Sequence, residues 1–81
     1  MEIKVTRKKK DLKFSMPGLK KPITLTEFGI FIGVSKPSFI KEYFECKLPE
    51  FIFEATLSED ERKDLDVLLE RIEEKFNSEK D

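Results

Sequence analysis

Apolar positions along this chain change their spacing three times, and each change predicts a different element. From Met1 to Gly18 they alternate weakly: Ile3 and Val5, then the basic run Arg7-Lys8-Lys9-Lys10, then Leu12, Phe14 and Met16. Two short strands with the basic run at their turn put Ile3, Val5, Leu12, Phe14 and Met16 on one face; an extended arm that orders only on a partner fits the same pattern. A two-stranded hairpin is marginal by itself, so the first option requires it to lie on the helices. Met16-Pro17-Gly18 ends the alternation, and Lys20-Lys21-Pro22 forms a linker.

From Pro22 to Tyr43 the pattern predicts helix, tight turn, helix, either a helix-turn-helix unit or an ordinary αα-hairpin in a small helical domain. Thr24 and Glu27 have capping-box spacing, which starts a helix at Leu25. Leu25, Phe28, Gly29 and Ile32 share one face, yet Ile30 and Phe31 point elsewhere, so this helix is apolar nearly all round and asks for cover on more than one side. Gly33 suits a left-handed corner, Ser35 suits the cap of a second helix, and Gly29, one turn before Gly33, lets that helix cross closely. The second helix is expected from Lys36 to about Cys46, with Pro37 in its first turn and Phe39, Ile40 and Tyr43 inward. Lys47-Leu48-Pro49 ends it. Residues 50–57 read either as a short strand pairing with the amino-terminal segment or as an irregular connector.

The last element has the clearest period. Ser58 and Glu61 repeat the capping box, and Glu59, Asp60 and Glu61 set negative charge at the positive end of the helix dipole. Leu65, Leu68, Leu69, Ile72 and Phe76 form a stripe at steps of three and four, with Glu70, Glu73 and Glu74 facing water. A helix over about 59–76 follows, with residues 77–81 as a frayed tail. The expected fold class is mainly α: a three-helix helix-turn-helix domain over 22–81, ending in an amphipathic helix, with a basic arm or a short amino-terminal β-hairpin over 1–21.

Composition narrows the function classes. Eighty-one residues make one domain near the lower size limit for an unstapled core, and 38% apolar residues, including eight Phe, suffice for one. A single cysteine, Cys46, and no histidine leave no internal disulfide and no zinc constellation. With no membrane-spanning run and no signal peptide, the reading is an intracellular, cytoplasmic protein without a membrane partner. Nothing pairs a nucleophile with a base, and no glycine-rich phosphate loop is present, so neither an enzyme nor a cofactor is expected.

Charge supplies the positive indication. The chain carries ten Lys/Arg against three Asp/Glu up to Lys41 (+7) and six against fourteen after it (−8), leaving −1 for the whole. In a helix-turn-helix the second helix enters the major groove by its amino-terminal part, where Lys36, Ser38 and Lys41 face outward. Arg7, Lys8, Lys9 and Lys10, with Lys13, Lys20 and Lys21, supply phosphate contacts. Double-stranded DNA is the expected partner. The alternative is a protein-interaction module or small regulator that uses its apolar and acidic helical surfaces, as a homo-oligomer or with another protein.

The stretch from Lys21 to Ser35, followed by the aromatic residues Phe39, Tyr43 and Phe44, resembles the amino-terminal DNA-binding region of phage small terminase (DNA-packaging) subunits. Shared features are the Pro-x-Thr start, a small residue in the first helix and Gly-Val-Ser at the turn. Residues 63–73 look like the helix that follows in that family. The resemblance covers about half the chain and implies non-enzymatic recognition of viral DNA by a ring-forming protein that hands it to an ATP-driven partner. It departs from the family pattern over Glu45–Thr56, which reads as an insertion, and at its end, where a member would continue into an oligomerisation region.

Overall fold

The computed structural model describes residues 2–78. Its elements in chain order are β1 (Glu2–Lys8), β2 (Asp11–Ser15), β3 (Ile23–Thr24), α1 (Leu25–Val34), α2 (Pro37–Tyr43), β4 (Glu50–Phe53) and α3 (Glu59–Asn77). The four strands make one mixed sheet in the order β3-β2-β1-β4. The fold is therefore α+β, and the expected mainly-α helix-turn-helix domain is wrong. What overturns it is the amino-terminal segment, which supplies the two central strands of a sheet on which all the helices depend for cover.

The alternation reads through to the register. Val5 lies opposite Phe14, and Lys8 opposite Asp11, across a two-residue turn in which Lys9 has φ 60°. Ile3, Val5, Leu12, Phe14 and Met16 all point inward and are buried, as the period of two requires. Residues 50–53 resolve to a strand, parallel to β1 with Ile3 opposite Phe51. Phe51 thereby reaches Phe14 and Phe28, with ring centroids at 6.3 Å from each, while Phe14 and Phe28 meet edge to face at 5.4 Å. Such pairs add about 0.5–1.5 kcal/mol each beyond the area they bury.

Three helices cover that face. Phe28 and Ile32 of α1, Ile40 of α2, Phe44 just after α2, and Leu65, Leu68 and Ile72 of α3 complete a single core. Both capping boxes form: Thr24 Oγ1 accepts from the Glu27 amide at 3.1 Å, and Ser58 Oγ from the Glu61 amide at 3.2 Å. The glutamates return to the cap amides, and the Thr24 amide holds the Glu27 carboxyl below its usual range.

The corner between α1 and α2 is built differently from the expected one. Gly33 stays inside α1 with an ordinary helical backbone, and Ser35 closes α1, its hydroxyl donating to the Phe31 carbonyl at 2.6 Å. Lys36 occupies the cap of α2 without a side-chain hydrogen bond. No helix crosses over Gly29, since a Cβ placed there meets no atom within 4 Å. Instead Phe31 of α1 packs edge-on against Phe39 and Tyr43 of α2, at 6.0 and 5.4 Å. Tyr43 also donates to the Pro17 carbonyl at 2.9 Å. Helix α2 stops at Tyr43 rather than Cys46 because Glu45 and Cys46 both turn left-handed, at φ 57° and 61°, with the Cys46 amide donating to the Lys41 carbonyl at 2.7 Å. Neither is a glycine, so the sequence gives no warning of the reversal.

Open space around both helical glycines has a measurable consequence. Gly29→Ala and Gly33→Ala should each stabilise the fold by roughly 0.5–1 kcal/mol, the helix propensity that glycine forgoes, since the added methyl clashes with nothing. Thermal unfolding of dilute protein measures it; a drop in Tm would mean that the space is filled in solution.

Candidate nucleic-acid interface

Alternation sends Lys4, Thr6 and Lys8 of β1, and Asp11, Lys13 and Ser15 of β2, to the sheet face opposite the helices. Lys8, Lys9, Lys13 and Lys21, with Asp11 and Pro22, line one open depression of about 550 Å³ where the hairpin turn meets the approach to β3. Exposed Lys10 and Lys20 adjoin it in sequence. One carboxylate among four ammonium groups leaves an excess of positive charge over a solvated surface, a setting that attracts phosphates without fixing their orientation.

Arg7 does not belong to this face. It sits opposite Leu12, in phase with Ile3 and Val5, so its side chain comes round on the helix side of the sheet. The guanidinium donates to Glu61 Oε1 at 2.6 Å, to the Thr56 carbonyl at 2.9 Å and to the Lys10 carbonyl at 3.1 Å. One side chain thus joins the hairpin turn, the connector after β4 and the first turn of α3. The Arg7 hydrogen bond, with the Ser58 amide on the same oxygen, holds the Glu61 carboxyl down to about 2, and Glu61 raises Arg7 in return.

The start of α2 is a poor match to a recognition surface. Helix α2 has seven residues. Lys36 and Ser38 are exposed, but Lys41 is half-buried and its ammonium donates to the Ser78 carbonyl at the end of α3, at 2.5 Å. Phe39, not a polar residue, occupies the outer side between them and leans on Phe31 and Tyr43. Of the residues expected to grip DNA, the structure brings Lys8, Lys9 and Lys21 together with Lys13, keeps Lys10 and Lys20 in the adjoining turns, ties Arg7 and Lys41 to the body of the fold, and leaves Lys36 and Ser38 outside the depression. Lys4 lies on the same outer sheet face, outside the depression, and its step of two to Thr6 and of four to Lys8 carries the signal. Among the described residues, no three His, Cys, Asp or Glu side chains are grouped to hold a metal ion, and no helix is long and apolar enough to cross a membrane.

Glu61 makes the join between hairpin and α3 dependent on pH. A carboxyl whose folded value lies below its ordinary one contributes stability in full above about 4.5, and loses it as pH falls toward about 2. Wild-type Tm should decline over that window more steeply than the Tm of Glu61→Gln, followed by circular dichroism; equal slopes would mean that the Arg7 contact adds nothing in solution. Set against known proteins, the chain matches no protein-family model, no curated protein and no solved structure.

Proposed function

We propose that this protein is a non-enzymatic DNA-binding protein whose contact surface is the lysine-bearing end of its sheet. The observation that carries the reading is the convergence of Lys8, Lys9, Lys13 and Lys21 on one depression, with Lys10 and Lys20 beside it. Phosphates along a duplex are met by separate point charges, and each one neutralised releases counterions, which gives affinity without reading bases. No arginine contributes, Arg7 being held by Glu61, so nothing offers the bidentate fork that selects guanine. Binding is therefore indifferent to duplex sequence. The resemblance to small terminase subunits implies DNA recognition through the second helix of a mainly-α helix-turn-helix domain, which this α+β fold is not, so the grouped lysines and not the resemblance carry the proposal.

Titrating labelled duplex at several salt concentrations tests this. Four phosphate contacts give a log–log slope of affinity on salt of roughly −3 to −4, and Lys8→Ala, Lys13→Ala and Lys21→Ala should each make it shallower by about 1. Lys36→Ala should change neither slope nor affinity. Absence of binding at low salt, or a loss confined to Lys36→Ala, would refute the proposed face.

A further inference from the structure

Helices α1 and α3 lie side by side in the same sense, fastened at their ends by Lys75, whose ammonium reaches the carbonyls of Ser35 at 2.6 Å and Gly33 at 3.5 Å. That contact places a cation on the carbonyl end of α1, whose own last turn has no basic residue. Between the helices runs an open groove of about 500 Å³. Gly29 and Gly33 line its α1 side, where added Cβ atoms would meet nothing within 4 Å. Next to these glycines stand Ile30, 60% exposed, and Val34, 78% exposed, and across the groove on α3 stands Val67, 49% exposed. Apolar side chains so open to water on adjoining turns are out of place on an isolated surface.

We propose that a second copy of this chain docks in this groove about a two-fold axis, each copy placing Ile30 and Val34 over Gly29 and Gly33 of the other. Two features single out the same chain as occupant. First, the surface carries both apolar projections, Ile30 and Val34, and open space over Gly29 and Gly33 to receive them, which is the self-complementarity an isologous contact needs. Second, its rim is self-complementary in charge. Asp64 and Arg71 stand two turns apart on α3, one on either side of Val67; both are exposed, and among the described residues the one ion pair is Arg7–Glu61. Antiparallel reversal of α3 against its copy sets each Asp64 beside Arg71 of the second copy, giving two symmetric ion pairs at the edge of an apolar seam. The helices and their groove do not include the lysine-bearing hairpin, so this contact goes beyond the DNA-binding reading and does not depend on it.

Sedimentation equilibrium of the full chain from about 1 to about 500 µM should show a reversible monomer–dimer equilibrium in that range. Ile30→Glu and Val34→Glu, at exposed positions, should leave the circular dichroism spectrum unchanged and the protein monomeric throughout. Gly29→Leu fills space that is empty in the single chain, so it too should fold and fail to dimerise. Asp64→Arg and Arg71→Asp should each weaken the dimer on the order of tenfold by setting like charges together, and the double variant should restore it. A monomer at every concentration overturns the proposal, and so does a dimer that these substitutions do not weaken or that the double charge reversal fails to rescue.

Discussion

Because Glu2–Lys8 and Glu50–Phe53 run in the same direction as neighbours, the chain between them cannot return through a tight turn and has to cross a face of the sheet. The rest of the architecture follows from that constraint. The crossing segment carries α1 and α2 over the inward side chains of β1 and β2, and α3 packs down after β4 to close the core. Arg7 then reinforces the closure from the far end of β1, since the three oxygens it reaches belong to the hairpin turn, the connector and α3. Each end of α3 is tied back by a cation from earlier in the chain, Arg7 at its start and Lys41 at its last carbonyls.

These ties use little of the charge available. Although the two halves of the chain have opposite sign, they do not cancel by pairing: among the described residues Arg7–Glu61 is the one ion pair. Lys4, Lys8 and Lys13 lie on the sheet face opposite the helices, away from α3. Close pairing is thus not how the charge asymmetry is used among the described residues.

Much of the secondary structure could be read from the residues, because it is set by local rules. Both capping boxes, the α3 stripe and the inward set Ile3, Val5, Leu12, Phe14 and Met16 follow from spacing alone. Fold class did not, because the decision lies in the non-local pairing of β1 with β4, which no periodicity within either segment encodes. The weight given to Gly33 shows how a local rule misleads: glycine permits a left-handed corner but does not require one, and the two residues that turn left-handed at the end of α2, Glu45 and Cys46, are of types that usually avoid it. At the site, composition located the lysines but not their grouping. Arg7 could have been excluded by parity, since it falls in phase with Ile3 and Val5, whereas the capture of Lys41 by Ser78 depends on tertiary packing alone.

Strand order has a consequence during synthesis. The hairpin of β1 and β2 leaves the ribosome long before β4 or α3, so for that interval an unpaired strand edge and the apolar face of Ile3, Val5, Leu12 and Phe14 have no cover. Exposed edges of this kind recruit other nascent chains. Lys8, Lys9 and Lys10 at the tip, with Lys4 and Lys13 along the outer face, surround the hairpin with like charge at that stage and act as gatekeepers against such pairing. The same lysines would then serve twice, first by keeping unfinished molecules apart and later by offering a surface to bind.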